Sequence, residues 1–397
     1  MKSLNLSKLD KYNQHLAIRQ ENRLNDTLAM SQVELRHLEE EEEEVNERNE
    51  RNTLFDHFSS SPESFYNFTG FTIDEFKKLF HIVENSFIIN GRGRKPKYSI
   101  IDQFLMFLHY LRHYPRTANL KSIFQIEPST FESFFSKILF TAGPKLEEEL
   151  ITKNAKSCCI ESDPSIPECG YVVDATVQQI SKPFLDWQQC AKYYSGKHSL
   201  YCLKSQVIVS IKGMALHIVT AVEGSVHDKA VFDQNIDDFT ENVLDYHLTE
   251  PRLIMGDKGY QDADSQNLVT PFKGTYFNLT PDQLAFNEKL GKVRIIVENF
   301  FGRLKSRYRI IGDKYRGSHG RYEMIFKTCC ALVNYELMND HPLRLDDREF
   351  FLKHRALLFK STEEEIQKNK EKQMIQKQRR IKLFNKTVSS SLEDSSD

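Results

Sequence analysis

The sequence predicts an α/β fold, a mixed sheet flanked by helices, with an all-helical region in front of it. Three observations predict this. Between Thr72 and Leu139 the apolar residues recur at helical spacing. From Gly170 onward, runs of apolar and β-branched residues take over. After Phe239 one further apolar run, Leu253-Ile254-Met255, precedes a long helical stretch.

Residues 1–64 are polar, contain the acidic run Glu39–Glu44 and lack a sustained apolar period, so a disordered acidic region is expected, with order beginning near Phe65. Residues 65–150 read as a helical, helix-turn-helix-like domain. Phe76, Leu79, Phe80 and Val83 mark a helix within Thr72–Phe87. The basic loop Gly91–Lys97 follows, and an arginine-bearing loop of this kind can enter a narrow minor groove. Ile101, Phe104, Leu105, Leu108 and Leu111 mark a second helix. Ala118–Phe124 and Ser129–Leu139 come next, the latter opened by Ser129-Thr130-Phe131-Glu132 in the form of a capping box. That order suits a helix-turn-helix module. The same pattern suits a helical subdomain packed on the sheet, because the candidate recognition helix offers Phe131, Phe134 and Phe135 but Lys137 as its one cation.

Residues 168–345 carry the sheet. Tyr171–Val177, Gln206–Ile211 and Ala215–Val222 read as strands, the last two joined at Lys212-Gly213 in a hairpin. A helix should open at His227-Asp228 and run to about Phe239. The strand Leu253–Met255, a short strand near Tyr276 and helices from Pro281 to about Tyr308 complete the region. Three strands, a helix, a strand and further helices is the order of a ribonuclease H-like catalytic core. Residues 346–397 are a charged helical stretch and an acidic, serine-rich tail.

Composition removes several functional classes. No apolar run approaches the roughly 18 residues that span a bilayer, so no membrane association is expected. The 7 cysteines, with Cys158-Cys159 and Cys329-Cys330 adjacent, have no framework spacing and no CxxC pair, which argues for reduced thiols in an intracellular protein and against a zinc site. The net charge of -2 hides segregation, since the acidic N-terminal run and tail offset basic clusters elsewhere.

The chemistry rests on carboxylates in places where acids are rare. A charge in a buried strand is costly unless paired or bound to metal. Asp174 lies in the apolar strand Tyr171–Val177, and Asp257 ends the strand in Gly256-Asp257-Lys258-Gly259-Tyr260, where ligands of α/β sheets collect. Glu298 lies on a helix whose Ile296, Val297, Phe300, Phe301 and Leu304 anchor it to a core. On that helix Arg294, Glu298, Gly302 and Lys305 share a face, which sets positive charge beside the glutamate. Converging carboxylates of this kind suit two hard divalent cations, Mg2+ or Mn2+, in phosphodiester chemistry.

The blocks Val173-Asp174-Ala175-Thr176, Tyr194-Ser195-Gly196-Lys197-His198, Lys204-Ser205-Gln206-Val207, Gly224-Ser225-Val226-His227-Asp228, Gly256-Asp257-Lys258-Gly259-Tyr260 and Arg294–Lys305 occur in this order between Gly170 and Ile311. Together they resemble the catalytic domain of the PIF/Harbinger family of DDE transposases and the nucleases derived from it, and more distantly bacterial insertion-sequence transposases. Tyr98–Phe140 resembles the helix-turn-helix that precedes the nuclease there. The resemblance implies a DDE triad of Asp174, Asp257 and Glu298. It also implies Asp228 as a further metal-site carboxylate, although an aspartate opening a helix also serves as an N-cap. It implies DNA contacts from Lys197, His198, Lys204, Arg294 and Lys305, and phosphate contacts from Arg307 and Arg309 would suit the same helix. Ala175 stands where the family commonly has glycine, a difference of one methyl group.

The function expected is that of a metal-dependent endonuclease or transposase that cuts phosphodiester bonds at transposon ends and joins them to target DNA. A domesticated nuclease, or a DNA-binding regulator with a relic active site, are the alternatives. The resemblance further implies a Myb-like DNA-binding partner. A homo-oligomer and a nuclear location, with the cytoplasm as the alternative, complete the expectation, the latter through the basic run Lys377–Lys382. Trp187, the sole tryptophan, is open to two readings: packing in the core, the commoner one, or stacking on a flipped base.

Overall fold

The computed structural model describes residues 53–87, 98–157, 166, 168–184, 186–244, 252–261, 267–274 and 278–339. The basic loop 91–97, the site of the expected strand near Tyr276, the run 377–382 and the region beyond 346 lie outside the described residues.

Helices α1 (Thr53–Ser59), α2 (Pro62–Thr69) and α3 (Ile73–Glu84) come first. Helical structure is therefore present ahead of Phe65. The cause is long-range: Phe55 packs on Phe65 and Phe76, and its N–H donates to the buried carboxylate of Asp102 at 2.8 Å. α3 begins with the capping box of Thr72 and Glu75. Helices α4 (Ile100–His113), α5 (Thr117–Phe124) and α6 (Pro128–Glu147) follow. The capping box expected at Ser129–Glu132 does not form, because Pro128 takes the first helical position and moves the cap two residues ahead of Ser129, to Glu127, which makes no side-chain bond. α6 continues through a π turn, Glu148–Thr152, to Ser157.

α6 buries Phe131, Phe135, Ile138 and Leu139 and leaves Ser129, Thr130, Ser133 and Lys137 exposed. It packs along the last described helix, α10 (His319–Met338), to which Glu132 and Glu147 are tied by Arg321 and Lys327. The helical region thus shares a core with the sheet.

That sheet contains β1 (Cys169–Gln179), β2 (Tyr194–Ser195), β3 (Leu200–Ser210), β4 (Ala215–Glu223), β5 (Leu253–Met255) and β6 (Leu268–Val269). Its order is β2-β3-β1-β5-β6, with β4 also paired to β3. The β1, β2, β3 and β4 pairings are antiparallel, and β5 and β6 join in parallel, which makes the sheet mixed as expected. Gly213 turns the β3–β4 hairpin with φ of 81°, a left-handed conformation that glycine adopts without strain. Helices α7 (Trp187–Lys192), α8 (Asp228–Phe239), α9 (Pro281–Arg307) and α10 complete the fold.

Side chains alternate across the strands, so the sheet has two apolar faces. Tyr171, Val173, Ile208 and Ile254 pack with Phe232, Ile236 and Phe239 of α8. Val172, Val207, Val209 and Met255 belong to the larger core with Val297, Phe300 and Leu304 of α9 and the interior of α10. Inside that core Arg307 Nε lies 3.2 Å from Glu336, and its guanidinium donates to the Tyr66 hydroxyl at 3.0 Å, fastening α9 to α10 and α2. Arg307 is buried and serves this pair, so the phosphate contact expected of it is not available.

Candidate active site

Asp174 sits midway along β1, opposite Val207 of β3, on the face that looks toward α9. Asp257 follows from register. Val172 pairs with Met255 in parallel, so two residues further along each strand bring Asp174 and Asp257 to neighbouring positions on the same face. The turn Lys258–Tyr260 then begins with Asp257 as its cap, one carboxylate oxygen accepting the Gly259 N–H at 2.7 Å. A Cβ on Gly259 would stand 2.9 Å from that oxygen, so a larger residue there would push the Asp257 carboxylate aside.

Glu298 comes from α9. Arg294, one turn earlier, places its Nη2 3.7 Å from Asp174 Oδ2 and 3.6 Å from Glu298 Oε1, so two acids from opposite parts of the chain share one guanidinium. Arg294 Nε is buried without a hydrogen-bond partner.

Asp228 enters from the other side of the sheet as the first residue of α8. His227 occupies the cap position without a side-chain bond, so Asp228 is not an N-cap. Its Oδ1 lies 2.7 Å from Lys204 Nζ, and the same ammonium donates to the Val226 carbonyl. Lys204 is buried and faces the carboxylate, so the DNA contact expected of it is not offered in this arrangement. Gln206 donates to the Asp228 carbonyl at 2.9 Å and to the Tyr260 hydroxyl at 3.0 Å, joining the start of α8 to the turn after Asp257.

The electrostatics agree with convergence. Burial raises the Asp174 carboxyl to about 6; the Ala175 N–H and Arg294 oppose that, while Asp257 and Asp228 add to it. The buried Tyr260 hydroxyl is pushed well up, first by burial and then by Asp174, Asp228 and Asp257. Lys197 and His198 are exposed on the turn between β2 and β3. Burial lowers His198, followed by Lys197, while Asp228 opposes, which places this ring in the same field. Lys305 is partly buried; its Nζ donates to the Val177 carbonyl at 3.2 Å, and burial lowers its pKa. Arg309 is exposed at the start of the short helix Arg309–Gly312 that follows α9.

Sequence reasoning gave no role to Gln206 or Tyr260, although both lie in quoted blocks. A glutamine inside an apolar strand, here buried, was the available signal. Trp187 is 80% exposed, so the packing reading of that residue is wrong.

The donor set suits a hard divalent cation: every candidate ligand is a carboxylate, and Asp174 is raised by burial beside two other acids. As the side chains stand, no three His, Cys, Asp or Glu among the described residues converge tightly enough to chelate a metal. Arg294 and Lys204 instead hold the acids as ion pairs.

Comparison with known proteins falls on the same region. Residues 173–334, which include Asp174, Asp228, Asp257 and Glu298, match the family described as DDE superfamily endonuclease. A protein of Microchaete diplosiphon, described as a probable transposase for insertion sequence element IS702, is 27% identical over 252 residues, 62% of this chain and 83% of that protein. No solved structure matches the chain. The mixed sheet, its flanking helices and its cluster of acids thus lie where residues 173–334 match the DDE superfamily endonuclease domain.

Proposed function

We propose that this chain is a divalent-metal-dependent DNA endonuclease of the transposase kind, with Asp174, Asp257 and Glu298 as its metal-holding triad and Asp228 as a fourth carboxylate. The observation that carries the reading is the convergence of Asp174 and Glu298 on Arg294, with Asp257 in register beside Asp174. Bound Mg2+ or Mn2+ would activate a water or a 3′-hydroxyl and stabilise the leaving oxygen. The chain's own residues have separate tasks. Asp174 and Asp257 are fixed by the strands; Gln206 and Tyr260 hold the two loops that bring Asp228 and Asp257 together. Arg294, freed from the acids when cations arrive, can turn to a DNA phosphate.

The six sequence blocks support a Harbinger-type transposase that acts at transposon ends and joins them to target DNA, and the basic run Lys377–Lys382 supports a nuclear location. α6 supports recruitment by a Myb-like partner, since its apolar face is buried and its exposed face offers one cation, Lys137, for base or phosphate contact. The test is to incubate the purified chain with its element's end sequences and Mn2+. Cleavage is expected in the wild type and lost in Asp174→Asn, Asp257→Asn and Glu298→Gln. Undiminished cleavage in the presence of a chelator, or in any of these variants, would refute the assignment.

A further inference from the structure

Among the described residues, the two most exposed large apolar side chains lie three positions apart. Phe184 is 106% exposed and Trp187 80%. Aromatic surface of this size costs free energy in water and marks a place where something docks.

The segment that carries the rings is firmly mounted. Beyond Asp174, β1 continues to its end at Gln179, and Ile180 is buried and bridged to Tyr315. Phe184 follows, and Asp186 caps α7 by accepting the Gln189 N–H at 2.8 Å, which sets Trp187 at the first helical position. Cys190 is buried under the helix, with its thiol on the Pro183 carbonyl. At the other end the Lys192 carbonyl accepts the Ser225 N–H at 2.9 Å, three residues before Asp228. A helix rises 1.5 Å per residue, so Trp187 lies roughly 8 Å along α7 from the end fixed beside that acid.

The surrounding charge selects the occupant. Lys182 and Lys192 within the segment, and Lys197 and His198 on the turn that follows β2, are exposed. Of the nearby acids, Asp186 is spent on the cap and Glu223 lies 4.0 Å from Lys192. Flat aromatic faces among cations, next to a cluster of carboxylates, suit a nucleobase with its phosphates.

We propose that Phe184 and Trp187 form a stacking platform for an unpaired base of the DNA beside the site; this rests on the DNA-cleaving reading above. The base lies against the rings while the lysines take the flanking phosphates, so the platform prefers strands that are open next to the cleavage position.

Trp187 is the only tryptophan in the chain, so its fluorescence reports on the platform directly. The full chain, in a chelator to prevent cutting, is titrated with a labelled duplex and with the same duplex carrying one unpaired base. DNA anisotropy reads binding and tryptophan emission reads stacking. The expected result is at least twofold quenching by the DNA with the unpaired base and little by the paired duplex. Phe184→Ala and Trp187→Ala should each weaken binding of the unpaired-base DNA about tenfold while changing duplex affinity less than twofold. DNA that binds with unchanged emission, and equally well to both variants, overturns the platform and leaves the nuclease reading intact. Failure to bind the unpaired-base DNA overturns the platform, and the Mn2+ cleavage assay above decides the nuclease reading separately. Emission that instead follows protein concentration, with self-association lost in Trp187→Ala, would assign the rings to a contact between copies and also overturn the proposal.

Discussion

Arg294 holds Asp174 at 3.7 Å from across the gap between α9 and β1, and the same nitrogen reaches Glu298 at 3.6 Å. A guanidinium shared by two acids is a cation in the place where a metal-binding carboxylate pair wants one. It and a divalent ion therefore compete. Arg294→Met should bind Mn2+ about five- to tenfold more tightly than the wild type, the size of one partly exposed ion pair removed from competition. Mn2+ should also raise the melting temperature more in the variant than in the wild type. Calorimetric titration showing the same affinity in both proteins would dismiss the competition.

Asp174 also sets a pH dependence. Its carboxyl is raised to about 6 by burial and by the neighbouring Asp257 and Asp228, against an ordinary value of 3.8. The folded chain therefore holds a proton between about pH 4 and 6 that the unfolded chain has lost. Stability from this group falls as pH rises through that window and is flat above it. Asp174→Asn should remove the slope and stabilise the metal-free protein at pH 7 by at most about 3 kcal/mol. The comparison must be wild type against variant, because the half-buried His109, lowered to about 3, acts with the opposite sign below pH 6.5. Mn2+ binding to the wild type should weaken below pH 6 as Asp174 takes up its proton. Urea melts and titrations at pH 5 and 7 that show no difference between the two proteins would contradict this.

Lys204 and Asp228 form the second charge pair of the site, at 2.7 Å. Lys204→Met leaves a largely buried carboxylate without its cation and should cost roughly 2–3 kcal/mol of stability. Adding Asp228→Asn should restore most of that loss, since no charge is then stranded. If the two substitutions simply add in chemical denaturation, the pair is not what fixes Lys204.

The acids that the structure gathers beside Arg294 are conspicuous in the sequence, whereas the charges that packing buries are not. Asp174 stands out because an acid inside an apolar strand needs a reason, and Asp257 because an acid at a strand end followed by glycine makes a tight turn. Lys204, Arg307 and Glu336 look like surface charges in sequence. They are buried only because their partners arrive from elsewhere in the chain, Lys204 pairing with Asp228 and Arg307 with Glu336. α1 was missed for the same reason, because the Asp102 carboxylate that receives the Phe55 N–H belongs to α4. Pro128 is a local signal that outranks the capping box at Ser129 and moves the helix cap to Glu127, and Trp187 shows that a lone tryptophan need not be core.

The last expectation concerns the joint that holds α9 in place. Arg307 and Glu336 are both nearly inaccessible, and the Tyr308 hydroxyl donates to Glu336 at 3.2 Å while Arg307 also donates to Tyr66. The Glu336 carboxylate and Tyr66 hold the Arg307 guanidinium above its usual range against the opposing effect of burial. Glu336→Ala would strand that cation in the core and should cost about 3–5 kcal/mol. Arg307→Met combined with Glu336→Leu should cost clearly less, because apolar side chains of similar size leave no charge unpaired. α9 also carries Glu298 and Arg294, so the single substitution should loosen the cluster of acids and, on the function proposed above, reduce cleavage at temperatures where the fold persists. Urea denaturation gives the stabilities, and cleavage rates at a fixed folded fraction give the coupling. A double variant as unstable as Glu336→Ala would mean that packing volume, not the charge pair, governs the joint. Unchanged cleavage in Glu336→Ala would mean that α9 is held at its Glu298 end by Phe300, Phe301 and Leu304 alone.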